Sequence, residues 1–473
     1  MRGTLVNSRS SARARISSVL GRCRSIQCQF HGASPKIPLF GKEVEAEGPS
    51  ADEDEGKGGA ASLVRGLSEF LLKGCSPWRE APPCADYIGP VKVARTPDGR
   101  GRGLFATQDV RAGTLLLISN PMAMSYDDPH RVLLLMRLVA RAQDDPLFLK
   151  QMYCLAHTQS SQDEMEVPSM DFLASPPRSP SDYGTDVHVD PSRIMDIIML
   201  NSFEGEFKDD NQESKTWFCG LYLIPSLINH SCHRNASRLI VGGTMILHAA
   251  TDIQKGEEIT ITYISTVAPL ELRHKSSLAM KFGFKCKCKR CIVEDSLRHS
   301  LSDVSEMYCN LHDKAFDEVR KAISLVSHPP TESSFSAVAQ FRSIFDRVSS
   351  RIRSEYGLSE IERKWIMAGY SSAYLGKWLI RGYIARFSKK PAIWDDTIVE
   401  VVEALRTTIP GLPHTLSLIT LIVAITQRLE NKHEIGKDVF KMGLAECSGI
   451  YGNLRSDVCI KLMEKSTEVI PFF

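Results

Sequence analysis

Three neighbouring cysteines are the residues of this sequence that most clearly predict chemistry. Cys286, Cys288 and Cys291 form a C-x-C-x-x-C run in a chain of 473 residues that has 13 cysteines. Thiolates this close together repel one another and oxidise unless a cation holds them, and Zn²⁺ is the usual cation. A structural zinc takes four ligands, and our candidate for the fourth is Cys232. The alternative is a set of free thiols.

Cys232 itself ends a second group of polar residues. Asn229-His230-Ser231-Cys232 follows the apolar stretch 221–226. A lone histidine after a strand is commonly a hydrogen-bonded structural residue, whereas this tetrapeptide places several hydrogen-bonding groups where core packing uses none. The pattern favours a binding site over plain packing.

Two further segments contain residues suited to binding or catalysis. Gly101-Arg102-Gly103-Leu104 has two glycines that allow a positive φ or a close approach of backbone to a ligand, although such a pair is more often only a turn. In segment 256–263, isoleucine and threonine alternate as in a strand that ends near Tyr263. A tyrosine there either packs half-buried or presents its phenol to a reaction centre.

Taken in this order, the four segments resemble those of SET-domain protein lysine methyltransferases, in particular SMYD-like and related fungal SET proteins. Segment 99–121 resembles the opening glycine motif of the family, and Asn229–Cys232 with Asn235 resembles its NHSC-x-x-N signature. Segment 256–263 is similar to the tyrosine strand, and Cys286–Cys291 to the post-SET zinc run. The resemblance covers residues 88–292 without the insertion 126–190.

The resemblance implies S-adenosylmethionine as the methyl donor, a structural zinc, and Tyr263 as the catalytic residue that orients the lysine ε-amine. It implies that Asn229 binds the methionine part of the cofactor, that the main chain of His230 meets the adenine, and that Phe284 stacks on the adenine. The full implied cofactor set is Gly101, Arg102, Gly103, Leu104, Asn229, His230, Tyr263 and Phe284, and the implied zinc ligands are Cys232, Cys286, Cys288 and Cys291. Methyl transfer from a sulfonium to a neutral amine needs alignment above all.

The sequence departs from the family pattern at three places. Residue 234 is Arg where the family commonly has Pro, and Thr262 stands where many histone-directed members have Asp. The insertion 126–190 contains only Cys154, so the MYND zinc finger of SMYD proteins is absent from it. Functions that depend on that finger are therefore not expected here.

The whole pattern predicts an α+β protein with a β-rich SET domain at 87–265, interrupted by a flexible inserted loop at 126–193. A post-SET zinc segment at 266–295 follows, and then an all-α, TPR-like C-terminal domain at 302–473. Hydrophobic spacing predicts helices at 131–142, 194–202, 335–356, 361–387, 397–407, 415–429 and 435–447. The helical domain either binds a protein partner or serves only as packing.

The N-terminal region differs in composition from the rest. Residues 1–42 contain six arginines and no acidic residue before Glu43, which predicts either a transit peptide or a disordered basic tail. Residues 43–86 are expected to be a largely disordered, acidic linker. Scattered cysteines without a disulfide pattern predict an intracellular protein, in the mitochondrion or in the nucleus and cytoplasm.

Composition also limits the possible partners. The net charge is only +2 and no apolar run is long enough to cross a bilayer, so we expect no membrane partner and disfavour direct nucleic-acid binding. We expect a protein substrate, a histone or another protein. The competing interpretations are a SET scaffold with weak catalysis that recruits partners through its helices, and a zinc-dependent nucleic-acid binder. The enzyme is favoured because the cofactor and tyrosine positions are all present.

Overall fold

A computed structural model describes residues 85–157, 166–174, 188–208, 215–241, 243–311, 313–323, 329–355, 357–388, 394–427, 429 and 432–467. The predictions for 1–42, and nearly all of those for 43–86, lie outside these residues. No helix in this described part of the chain is both long and apolar enough to span a bilayer.

Three small sheets form the first half of the described chain. The strands are β1 (Tyr87–Ile88), β2 (Val91–Arg95), β3 (Arg102–Ala106), β4 (Leu115–Ser119), β5 (Ala123–Tyr126), β6 (Phe203–Lys208), β7 (Lys215–Leu221), β8 (Asn229–His230), β9 (Ala236–Val241), β10 (Thr244–Ala249) and β11 (Glu258–Ile261). Their orders are β1-β4-β10-β9, β2-β3-β11-β8 and β5-β7-β6. Leu104, Ile259 and Ile261 are fully buried in the shared core.

The second of these sheets brings the predicted motifs together. β11 pairs antiparallel with β3, and it pairs parallel with the short strand β8. The parallel register places Asn229 opposite Thr260 and His230 opposite Ile261. Because β11 lies between the other two strands, the glycine segment, the polar tetrapeptide and the tyrosine strand lie side by side.

The inserted segment 126–193 is not simply a loop, and that prediction was wrong for its described residues. It contains helices α1 (Val132–Asp144), α2 (Pro146–Tyr153) and α3 (Met170–Ala174), and α4 (Pro191–Asn201) begins at its end. Asp145 caps α2 by accepting a hydrogen bond from the Phe148 amide at 2.9 Å, and Pro146 suits the first turn. Only the helices at 131–142 and 194–202 were predicted, because the shorter ones lack a long periodic pattern.

The described residues beyond β11 are mostly helical, as predicted for 302–473. α5 (Leu270–Arg273), a π-helix (His274–Phe282) and α6 (Lys289–Ser296) form the post-SET segment. The C-terminal helices are α7 (Ser302–Cys309), α8 (Asp313–Ile323), α9 (Glu332–Ser354), α10 (Glu360–Gly369), α11 (Ser371–Phe387), α12 (Thr397–Thr408), α13 (Pro413–Gln427), α14 (His433–Tyr451) and α15 (Ser456–Thr467).

The predicted single helix at 361–387 is two helices. α10 ends at Gly369, and Tyr370 leaves the helical conformation with φ −114° and ψ 8°. A Cβ at position 369 would lie 3.3 Å from Nη2 of Arg290, so the chain passes close to α6 there. Tyr370 also shares a hydrogen bond of 2.7 Å with Ser305. These are tertiary contacts, which hydrophobic periodicity does not reveal.

The helical region meets the SET sheets at the loop between α12 and α13, and Arg234 is at the centre of the contact. Its guanidinium is buried and donates to the carbonyl oxygens of Pro410, at 3.0 and 3.1 Å, and of Gly411, at 2.8 Å. Ser237 donates to the Gly411 carbonyl at 2.7 Å, and His233 donates through Nδ1 to the Thr408 carbonyl at 3.0 Å. The departure from proline at position 234 therefore has a structural reason, because a proline has no group that could make this contact.

We predict that Arg234→Ala destabilises the protein by about 3 kcal/mol, because several charge-assisted hydrogen bonds are lost and buried carbonyls are left without a donor. Denaturant unfolding monitored by circular dichroism measures the change. The matched control is Arg455→Ala, which removes an exposed arginine paired with Asp457 and should alter stability by less than about 0.5 kcal/mol. Equal effects of the two changes would contradict the role given to Arg234.

Candidate active site and metal centre

The four predicted zinc ligands form one cluster. The Sγ atoms of Cys232, Cys286, Cys288 and Cys291 all lie within 4.8 Å of one another. A tetrahedral zinc with Zn–S bonds of about 2.3 Å needs sulfurs about 3.8 Å apart, so only a small adjustment separates this cluster from a zinc site. Cys232 lies 54 residues before Cys286 in the sequence. The donor set therefore fits zinc, which would hold this part of the fold together.

Hydrogen bonds among the four sulfurs disturb their titration. The neighbouring thiols hold the pKa of Cys286 well below its ordinary value, and they raise the pKa of Cys232. Thiols packed this closely share their protons, since a deprotonated sulfur is stabilised by the protonated ones around it. A divalent cation would replace those protons.

Two buried arginines balance the negative charge expected of a cluster of four thiolates. Arg273 donates to Sγ of Cys291 at 3.7 Å, and Arg290 donates to the carbonyl oxygen of Cys232 at 3.3 Å. Both guanidiniums also bind the carboxylate of Glu294, which Arg290 reaches at 2.9 Å. Sequence reasoning missed Arg273 because it lies outside the cysteine run, and the lysines within that run, Lys287 and Lys289, are exposed.

His230 connects the metal cluster to the predicted catalytic tyrosine. Its Nδ1 accepts a hydrogen bond from the backbone N–H of Tyr263 at 2.9 Å. A neutral imidazole has one donor and one acceptor nitrogen, so the proton is on Nε2. That nitrogen lies 3.3 Å from Sγ of Cys232, and it therefore donates to the sulfur. Outer-sphere donors of this kind orient metal ligands.

The side-chain amide of Asn229 is fixed by two acceptors. Its Nδ2 donates to the carbonyl oxygen of Arg102 and to Oε1 of Glu258, both at 2.8 Å. A Cβ on Gly103 would lie only 2.6 Å from Oε1 of Glu258 and 3.0 Å from Nδ2 of Asn229. Glycine at 103 therefore makes room for this contact. Because both acceptors face the NH₂ group, Oδ1 of Asn229 is left to accept from a ligand.

Tyr263 belongs to a group of aromatic rings at the junction of the SET sheets and the post-SET segment. Its ring centroid lies 5.0 Å from that of Phe282 and 5.4 Å from that of His230, and Phe284 lies 6.2 Å from His230. The Tyr263 hydroxyl donates to the Ile228 carbonyl at 2.6 Å. Burial raises the pKa of this phenol well above its ordinary value, so it is protonated at neutral pH.

A cavity of about 1420 Å³ runs between the SET sheets, the post-SET segment and the helical region. Five of the predicted cofactor residues line it, namely Arg102, Asn229, His230, Tyr263 and Phe284. Gly101, Gly103 and Leu104 are not among its lining residues, and the Leu104 side chain is fully buried in the core. Gly101 does have the positive φ, 88°, that glycine permits.

The side chain of Arg102 has a structural task. It donates to the carbonyl oxygens of Glu166 and Cys154, at 2.8 and 2.6 Å, and so holds the inserted segment against the SET sheets. Only its main chain, whose carbonyl accepts from Asn229, takes part in the cofactor region.

Sequence reasoning missed several residues of the site. Glu258, Phe282 and Arg273 each contact a predicted residue, and Phe203 and Arg238 line the same cavity. The alternation of Phe282 with Phe284 was a signal that could have identified the first ring. The other four residues gave no such signal in the sequence, because the residues that they contact are distant in the chain.

We predict that the purified protein contains about one zinc per chain, and that Cys232→Ser lowers this content because a closed site needs four ligands. Elemental analysis of wild type and variant measures the metal. Cys309→Ser, at an exposed cysteine outside the cluster, is the matched control and should leave the zinc content unchanged. Full zinc retention in Cys232→Ser would show that Cys232 is not a ligand.

Comparison with known proteins identifies the first half of the described chain. The family model described as "SET domain" matches residues 101–264. A histone-lysine N-methyltransferase of Homo sapiens, SMYD3, is 40% identical over 85 residues, which are 18% of this chain and 20% of that protein. A protein of Gibberella zeae called "Methyltransferase" is 26% identical over 237 residues, or 44% of this chain and 32% of that protein.

A solved structure is also similar, the SET domain of LSMT bound to lysine and AdoHcy. It is 12% identical, with 69% of this chain and 91% of that chain covered and a TM-score of 0.23. The chain spans about a third or less of the length of the curated relatives it matches. Residues 101–264 are therefore a SET domain, which is followed by a cysteine cluster that fits zinc and by a mostly helical region.

Proposed function

We propose that the protein is an S-adenosylmethionine-dependent protein-lysine N-methyltransferase with Tyr263 as its catalytic residue. The observation that carries the proposal is the position of Tyr263. Its phenol is fixed by the Ile228 carbonyl, its amide is bound by His230, and its ring lines the same cavity as Asn229 and Phe284. The SET-domain match and the similarity to named methyltransferases support this activity.

The residues around the cavity suit S-adenosylmethionine, which supplies a methyl group on an electrophilic sulfonium. Oδ1 of Asn229 is oriented to accept from the α-ammonium of the methionine part, because its Nδ2 is already bound on two sides. Phe284 offers a ring face for the adenine, and Arg102 and His230, on β3 and β8, line the same cavity.

Tyr263 orients the substrate amine and does not deprotonate it. Because burial raises the pKa of the phenol, it remains neutral and cannot act as a strong base. Its hydrogen goes to the Ile228 carbonyl, so its oxygen lone pairs are free to accept an N–H of the substrate amine. The amine loses its proton to solvent before transfer, which an apolar, partly desolvated cavity favours by lowering the pKa of the lysine.

The aromatic rings stabilise positive charge on either side of the transferred methyl. Phe282 packs on Tyr263 at 5.0 Å between centroids, so two ring faces are available near the position of the amine. Such faces attract a developing ammonium and exclude water from the reacting groups. Zinc takes no part in the transfer. Its ligands hold the segment that contains Phe284, Phe282 and Lys281 against the SET sheets.

We predict that Tyr263→Phe lowers methyl transfer about 10- to 1000-fold, as expected for loss of about 1.4–4 kcal/mol of transition-state stabilisation. Cofactor binding should change little because the ring remains. Asn229→Ala should instead act on cofactor affinity. It should weaken S-adenosylmethionine binding, as measured by calorimetry. Labelled-methyl transfer to a cell lysate, with mass spectrometry of the modified lysines, measures the activity.

Tyr383→Phe is the matched control, since it removes the hydroxyl of a buried tyrosine in α11 that does not line the cavity. It should leave transfer unchanged. If wild type binds the cofactor yet methylates no lysine, or if Tyr263→Phe transfers as well as wild type, the catalytic proposal is wrong. The first outcome would favour a SET scaffold.

A further inference from the structure

The walls of the cavity carry a large excess of positive charge. Its basic lining residues are Arg100, Arg102, Arg234, Arg238, Lys281, Lys285 and Lys287, and its acidic ones are Asp98 and Glu204. Among the lining residues that the structure describes, seven positive and two negative charges give a net charge of +5, whereas the whole chain has a net charge of +2. The excess is therefore a local property of this cleft.

Both carboxylates in the lining are already paired. Asp98 binds Arg100 at 2.5 Å, and Glu204 binds Lys281 at 3.2 Å and also Arg131. Arg234 and Arg238 donate to backbone carbonyl oxygens, which accept their hydrogen bonds but do not neutralise their charge. Among the described residues, no carboxylate pairs with the exposed Lys285 or Lys287.

The other ligands of the cleft do not account for this charge. S-adenosylmethionine carries a sulfonium, an ammonium and one carboxylate, so it adds about one positive charge and needs one cation at most. A zinc bound to four thiolates carries two negative charges, and Arg273 and Arg290, which share Glu294, offset about one of them, so the remaining charge is smaller than the positive excess of the lining. The helical wall of the cleft provides apolar side chains such as Leu375, Leu379 and Leu418 and no carboxylate.

We propose that the cleft selects lysines that lie in acidic segments of protein substrates, with Lys285 and Lys287 as determinants of that selection. The inference rests on the proposed methyltransferase function. A positive cleft with low-dielectric walls attracts anionic ligands and repels a basic segment such as a histone tail. An acidic segment around the lysine supplies the carboxylates that the lining lacks.

The test compares three lysine-centred peptides that differ only in flanking residues, which are acidic, neutral or basic. We expect wild type with S-adenosylmethionine to show kcat/KM at least tenfold higher for the acidic peptide than for the basic one at low salt. The preference should shrink as salt increases. Fluorescence anisotropy of the same labelled peptides measures binding without turnover, so the selection can be tested even if transfer is slow.

The variant Lys285→Glu/Lys287→Glu should lose the acidic preference, and Lys289→Glu should retain it. Lys289 is exposed in the same cysteine run but does not line the cavity, so it controls for charge near the cluster. Zinc content should be equal in all three proteins. If Lys289→Glu also loses the acidic preference, the assignment of that preference to Lys285 and Lys287 in the cleft is wrong.

The outcomes separate this inference from the proposed function. Methylation of all three peptides without preference overturns the acidic selection and leaves the methyltransferase intact. If the protein binds the cofactor but transfers methyl to no peptide or lysate protein, the proposed methyltransferase function is wrong. If the three peptides then also bind with equal affinity in the anisotropy measurement, the preference for acidic segments is wrong as well. If single-stranded RNA displaces the acidic peptide and binds more tightly, the cleft is a nucleic-acid site and the inference is wrong.

Discussion

The seven residues from Asn229 to Asn235 contact four different parts of the fold, mostly through buried hydrogen bonds. Asn229 binds the glycine strand, His230 binds the Tyr263 amide, and Cys232 joins the metal cluster. Arg234 reaches the helical region, and Asn235 accepts from Thr260 and donates to Glu258 on the tyrosine strand. An unpaired polar group would cost free energy at any of these positions, so each contact fixes the others.

This constraint would let a site with no strong nucleophile carry out the proposed methyl transfer. Alignment provides the rate, and alignment depends on supports outside the reacting groups. A zinc bound to the four cysteines would hold Cys232 and the post-SET rings in place, while the helical region closes the other side of the cavity through Arg234. The same closure gives the cleft an apolar wall on the helical side and basic residues on the SET and post-SET sides.

The sequence was most informative where function depends on local spacing. The cysteine run predicted a metal cluster, and the polar tetrapeptide predicted its missing ligand, since neither pattern serves ordinary packing. The helical C-terminal half followed from hydrophobic periodicity. Arg273, Glu258 and the contact of His230 with the Tyr263 amide were not predictable, because they depend on which distant segments of the chain pack together. The short helices of the insertion were missed because a cap such as Asp145 gives only a weak signal in a loop-like composition.

The coupling of the cysteine cluster to Tyr263 can be measured by hydrogen exchange at the Tyr263 amide, with mass spectrometry of the peptide 258–265. If His230 joins the two sites, chelation of zinc should increase exchange at that amide by at least tenfold, and added zinc should reverse the change. The segment Thr244–Ala249, which belongs to a different sheet, should be unaffected. Unchanged exchange at Tyr263 after complete removal of zinc would contradict the coupling.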